Sequence, residues 1–205
     1  MIFDPVAEGK KATYFKMIEC IVPRPIAWVS TQDKNGVKNL APFSFFTGVT
    51  SAPATLLFCC GNKRGGVPKD TVANIMETGQ FVVNIVPYSL CQKMVQTSAP
   101  YAAHIDEFQA TGLAFSPSER VDPPRVSGAP IAFECSHYSI QEIQDEAGRV
   151  TSRVVIGRIE LIHVDDSVMD SEGQINVARL DVVARLGGQA YAQIGEPFEL
   201  SRPVV

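Results

Sequence analysis

Residues 24–46 read RPIAWVSTQDKNGVKNLAPFSFF. The first part alternates, with Ile26, Trp28 and Ser30 on one side and Ala27, Val29 and Thr31 on the other. That period of two is the mark of a β-strand. Asp33-Lys34-Asn35-Gly36 then supplies a hairpin turn, in which Asn35-Gly36 tolerates positive φ. The chain returns through VKNLAPFSFFTGVTS, where Pro42 cannot donate to a ladder and so demands a break, a bulge or a sheet edge. Asn39, Ala41 and Ser44 stand among Phe43, Phe45 and Phe46. A core strand is more evenly apolar and a loop more polar, so the segment reads as the wall of a pocket for a flat ligand with a polar edge. The plainer alternative is a tight strand crossing lined by small residues, with Phe43 and Phe46 in the core on either reading.

Outward from this hairpin, ATLLFCCG (54–61) is a third strand whose continuous apolar run predicts burial on both faces. Upstream, ATYFKMIECIV fits a helical turn or an edge strand, and the pattern does not choose between them. Downstream, Asp70 or Thr71 is a candidate N-cap for a helix with an apolar stripe of Val72, Ile75 and Met76, ended by Gly79. FVVNIV (81–86) is a further strand, and Ser89 to Gln92 forms a capping-box pattern opening a second short helix. Ala99 to Pro130 is a long irregular excursion with a helical turn at IDEFQATG, of the kind that serves as a lid or an interface arm or is poorly ordered. Two long strands joined by a DEAG turn follow, and then a tail containing RLDVVARLGGQAY. Hairpin-sized connections predominate over helical crossovers, which predicts a mainly β, antiparallel barrel with a few peripheral helices. No internal repeat or composition break divides the 205 residues, which read as one domain over 1–205.

The formal net charge is −4, so no bulk electrostatic term favours nucleic acid or an anionic membrane. The opening MIFDPVAEGK lacks the apolar run of a secretory signal, and ATLLFCC is too short to cross a bilayer. Cys20, Cys59, Cys60, Cys91 and Cys135 are odd in number and lack a C-x-x-C spacing, which suits buried thiols and a cytoplasmic address. His104, His137 and His163 lie far apart without metal-ligand spacing.

GNKRGGVPKDT (61–71) gathers Lys63, Arg64 and Lys69 against Asp70 in an otherwise acidic chain, and its glycines let backbone approach a ligand. It opens a helix whose first amides lack intrahelical partners. Cations, free amides and a helix N-terminus together suit a phosphate monoester. A solvated, capped loop would have the same composition. The hairpin shifts the balance, because Ser30, Thr31, Asn39 and Ser44 supply hydrogen-bonding groups for a ring edge while Ala41 and Pro42 keep the backbone close.

RPIAWVST, NLAPFSFF, KDTVANI, GQFVVNIV and RLGGQAY occur in an order and at spacings that resemble the flavin reductase-like family of FMN-binding split-barrel proteins, over roughly residues 20–195. The resemblance implies a six-stranded antiparallel Greek-key barrel, a homodimer, and non-covalent FMN near the dimer interface. It places Ser30, Thr31, Asn39, Ala41, Pro42, Ser44 and Phe45 along the isoalloxazine and ribityl chain. Lys69, Asp70, Thr71 and Asn74 would surround the phosphate, and Arg185 and Tyr191 would lie near the cofactor or the partner subunit. The implied activity is reduction of flavin by NADH or NADPH, in some relatives to supply a monooxygenase partner. The alternative within the same resemblance is a flavoredoxin-like FMN-binding electron carrier. No side chain is required as a general acid or base, because flavin N5 accepts the hydride.

Overall fold

The computed structural model describes residues 1–204. The chain opens with α1 (Pro5–Cys20), capped by Asp4, whose carboxylate accepts the Val6 amide, and kinked at Gly9. The undecided segment before the hairpin is thus helical. The strands β1 (Ala27–Gln32), β2 (Lys38–Phe43), β3 (Phe46–Ser51) and β4 (Ala54–Gly61) follow, then α2 (Asp70–Thr78) and β5 (Gln80–Ile85). After α3 (Cys91–Gln96) and α4 (Glu107–Thr111) come the short strands β6 (Phe115–Ser116) and β7 (Arg125–Val126). The long β8 (Ile131–Gln144) and β9 (Val150–Val164) lead to β10 (Val183–Arg185) and β11 (Tyr191–Gln193).

The main sheet has seven strands in the order β2-β1-β5-β8-β9-β4-β3, and every neighbouring pair is antiparallel. Its two edge strands, β2 and β3, are consecutive in the chain and separated only by Ser44 and Phe45. The sheet therefore curls until its edges meet at a covalent corner, where Cys59 N donates to Phe45 O at 2.8 Å. This is a mainly β, antiparallel split barrel. The strand count exceeds the expected six because Pro42, Ser44 and Phe45 divide one stretch into two strands belonging to opposite edges. Pro42 sits on an edge strand, where a missing donor is tolerated.

The alternation of β1 is real, and both its faces are buried. Ala27 and Val29 join Phe43, Leu56, Phe58, Phe81, Val83 and Val155 inside the barrel, where Val72 and Ile75 of α2 enter the same cluster. Trp28 and Ile26 face outward beneath Met94 of α3, Phe108 of α4 and Val183 of β10. Trp28 Nε1 donates to Thr97 Oγ1 at 2.9 Å, which satisfies its only polar atom. Gly157 of β9 faces Phe81 so closely that a Cβ there would fall 2.2 Å from Phe81 Cζ.

Several local expectations are corrected. In the first hairpin only Gly36 has positive φ, and Asp33 organises the loop by accepting the amides of Asn35 and Val37. β4 alternates rather than burying both faces, with Leu56, Phe58 and Cys60 inside and Leu57 and Cys59 half-buried. Met76 is exposed, so Thr71, Val72 and Ile75 form the buried stripe of α2. The Ser89–Gln92 capping box does not form, because residues 88–90 make a 3₁₀ turn and Leu90 precedes α3 without a side-chain cap. Of the five cysteines, Cys60 and Cys135 are buried, Cys59 and Cys91 are half-buried and Cys20 is exposed. Among the described residues no helix is long and apolar enough to cross a membrane.

Candidate functional site

A cavity of 660 Å³ lies at the free edge of β2. One wall is Asn39, Ala41 and Pro42 of β2; a second is the N-terminus of α2 with the loop before it; the third belongs to Thr97 and Ser98, to the start of the excursion as far as Tyr101, and to Glu107. Helix α2 begins one residue earlier than the sequence suggested. Lys69 is its N-cap residue and makes no side-chain cap bond, while Asp70 is the first helical residue. The first-turn amides of α2 thus carry no side-chain cap of the usual Ser, Thr, Asp or Asn kind.

The three cations of the loop differ in state. Lys63 Nζ is paired with Asp70 Oδ1 at 2.6 Å. Lys69 has no ion-pair partner among the described residues, and its Nζ rests 5.6 Å from the centroid of the Phe43 ring. Arg64 lies in the turn Arg64–Gly66 and lines the cavity with them. Asp70 therefore holds Lys63 at the helix mouth, and Lys69 and Arg64 have no ion-pair partner among the described residues.

Behind this mouth four of the expected site residues form one network. Thr31 Oγ1 accepts from Asn39 Nδ2 at 3.1 Å and from Asn74 Nδ2 at 3.0 Å, and Asn39 Nδ2 also donates to Thr71 Oγ1 at 3.0 Å. Thr31, Asn39 and Thr71 are buried. The pairing of Thr31 with Asn39 across β1 and β2 places them side by side, and α2 delivers Thr71 and Asn74 from above. The network locks the rotamers of the cavity floor.

The remaining expected residues lie elsewhere. Ser30 is fully buried on the same face as Trp28, where its hydroxyl donates to Pro124 O at 2.5 Å, so it pins the excursion to the barrel and does not line the cavity. Ser44 and Phe45 are half-buried at the barrel-closing corner. The Phe45 ring lies 5.8 Å from the guanidinium carbon of Arg24, which is itself buried and donates to the carbonyls of Ile18, Ile21 and Leu186. Arg185 exchanges backbone hydrogen bonds with Arg24, and its guanidinium donates to Tyr191 Oη and Gly188 O. Phe45 and Arg185 thus meet Arg24, Tyr191 holds Arg185, and none of the three lines the cavity. His104 is exposed, and His163 Nε2 bonds Glu134 Oε1 at 2.6 Å.

Glu107 is a buried acid of the cavity that the sequence did not disclose. It is 6% exposed, and its Oε2 accepts the Leu40 amide at 2.9 Å. Burial pushes its carboxyl up to about 7; the Leu40 amide opposes the rise, and the charges of Asp70 and Asp106 add to it. Asp106 caps α4 through the amides of Phe108 and Gln109, a signal visible in IDEFQATG, but nothing local to that run shows which of its acids turns inward.

The chain belongs to the flavin reductase-like family, whose model, described as a flavin reductase like domain, matches residues 19–178. An uncharacterized protein of Aquifex aeolicus is 35% identical over 189 residues, covering 92% of this chain and 93% of its own length. Among solved structures, nitrilotriacetate monooxygenase component B from Bacillus cereus superposes with a TM-score of 0.92 at 31% identity, covering 98% of each chain. The 2-nitrobenzoate 2-nitroreductase NbaA of Pseudomonas fluorescens gives 0.88 at 28% identity, over 99% of this chain and 96% of that one.

Proposed function

We propose that this chain binds FMN non-covalently and acts as a flavin reductase, passing hydride from NADH or NADPH to the flavin. The observation that carries this reading is the cavity mouth, where unpaired Lys69 and Arg64 meet the uncapped amides of α2 above a buried hydroxyl–amide network. A dianion there meets two free cations and the positive end of a helix dipole. The 660 Å³ volume lies within the ~300–1,000 Å³ usual for small-molecule sites.

In this reading Lys69, Thr71 and Asn74 hold the phosphate end, with Asp70 acting through Lys63. Thr31, Asn39, Ala41 and Pro42 form the wall for the rest of the molecule, and Ser30 braces that wall from behind. Ser44, Phe45 and Arg185 stand at the barrel corner toward the expected ring end, where a second subunit of a homodimer would close the site. When bound, FMN supplies the two-electron acceptor, and the protein's part is to hold it, orient it and limit water. The likeness to a protein named as a monooxygenase component supports delivery of reduced flavin to an oxygenase partner.

The test is an absorbance spectrum of the purified protein, reconstituted with FMN if colourless, followed by anaerobic NADH and then NADPH. Bleaching by one nucleotide within seconds is expected and names the donor. A flavin-loaded protein indifferent to both would be an electron carrier reduced by another protein. Failure to take up FMN would overturn the flavin reading.

A further inference from the structure

Glu107 is an anomaly in a site built to attract an anion. Three cations and a helix N-terminus line the cavity, yet a carboxyl group is buried in the same wall. Its Oε2 is occupied by the Leu40 amide, and no side chain among the described residues donates to its other oxygen. Glu107 opens α4 against the edge strand β2, and its second oxygen is not sealed from solvent. The residue borders the space a ligand would fill.

We propose that Glu107 is a specificity-determining acid of the phosphate end of this cavity: it admits a phosphate monoester dianion while its carboxyl is protonated and opposes the dianion once ionised, so that binding takes up a proton. The proposal rests on the FMN reading given above.

The groups facing Glu107 determine the sign of the effect. From α2 comes Asp70, already committed to Lys63, and from α4 itself comes Asp106, which Lys38 of β2 approaches at 3.7 Å. Lys63, Arg64 and Lys69 line the same cavity from the loop and the cap of α2, and Tyr101 lines it from the excursion. The acids nearest Glu107 oppose its ionisation, and a bound dianion adds to them. Burial has already brought its titration to about 7 in the free protein, within the range where a modest further push changes its charge. A tenfold preference of the dianion for the neutral carboxyl would raise that titration by about one pH unit in the complex.

The experiment is FMN titration by fluorescence quenching at pH 7, 8 and 9, with calorimetry at pH 7.5 in two buffers of different ionisation heat. The phosphate of FMN is already largely dianionic there, its second pKa being about 6. With that tenfold preference, the Kd for FMN rises about fivefold from pH 7 to 9 and binding takes up about half a proton at pH 7.5. Riboflavin, which lacks the phosphate, binds without pH dependence. Glu107→Gln, which retains an acceptor for the Leu40 amide, abolishes both the rise and the uptake for FMN. FMN binding that is flat in pH with no proton uptake overturns the proposal and leaves the flavin reading intact, and this wild-type measurement does not depend on the variant folding. An equal pH dependence for riboflavin also overturns it, since the acid would then act on another part of the molecule. Absence of FMN binding at every pH overturns both readings.

Discussion

Lys69→Ala separates a phosphate site from a generally basic surface. Lys69 is exposed, contributes only backbone to the start of α2, and has no ion-pair partner among the described residues, so its removal leaves the fold unstrained. What it gives up on meeting a phosphate is its position over Phe43, a contact 5.6 Å from the ring centroid that at an exposed site contributes about 0.5–1 kcal/mol. What it gains is a hydrogen bond between two ions, about 1.5–3 kcal/mol net. The difference, about 1–2 kcal/mol, corresponds to a Kd for FMN about 5- to 30-fold weaker in the variant. Riboflavin should bind wild type and variant alike. Lys63→Ala should behave differently, because Asp70 is then left without its partner at 2.6 Å beside the incoming dianion. Fluorescence-quenching titrations of both flavins at low salt provide the measurement, and the FMN difference should shrink as salt rises. Equal losses for FMN and riboflavin on Lys69→Ala would refute the assignment of the helix mouth to the phosphate.

Two further predictions concern the scaffold. Gly157→Ala places a methyl 2.2 Å from Phe81 Cζ and 3.2 Å from Cys135 Cβ in a closed interior, so overpacking of about 1–3 kcal/mol is expected. In thermal unfolding that is a Tm lower by about 3–10 °C, partly restored by adding Phe81→Leu; an unchanged Tm would show that the interior yields freely. Glu134 is fully buried and accepts the amides of Glu119 and Arg120 and the His163 ring. Burial opposes its ionisation, but these donors outweigh burial and hold the carboxyl below its ordinary range. Its stabilising effect is therefore present above the unfolded-state pKa of about 4.3 and is lost as pH falls through the lower native value. Glu134→Gln should cost about 1–3 kcal/mol at pH 7 and loosen residues 117–124 to proteolysis, with the gap to wild type narrowing in acid; a gap that does not depend on pH would contradict this account.

What the sequence disclosed was what local periodicity and local charge determine. The two-sided strand at 27–31, the edge character at Pro42 and the cation-rich entry to α2 all follow from runs of a few residues, and Thr31, Asn39, Thr71 and Asn74 do come together. What the sequence could not show is which partner each group takes where distant segments compete for it. Ser30 is indistinguishable from Thr31 as a hydroxyl on a strand until the Pro124 carbonyl accepts its hydrogen bond. Arg185 carries the family motif, yet its partners are Tyr191 and Gly188 of its own hairpin. Asp70 looked like a cap, but Lys63 seven residues earlier claims it. Glu107 is the extreme case, since its burial depends on β2 having an edge for α4 to cover, a fact of topology with no local signature.

That edge links the architecture to the chemistry. A barrel closed by hydrogen bonds all round would have a ladder partner for every amide of β2; this one closes through Ser44 and Phe45, leaving β2 paired only with β1. An unpaired strand edge must be covered, or its amides stay unsatisfied and open to pairing with another chain. Here the Leu40 amide, on the side away from β1, is satisfied by the Glu107 carboxyl, a side chain taking the place of a strand. The same gap that requires this cover gives Asn39, Ala41 and Pro42 access to a ligand. The covering acid and the ligand wall are thus two consequences of one split. Substituting Glu107 bears on binding and on the integrity of β2 together, which is why its charge must be tested with Gln and by proton uptake rather than by truncation.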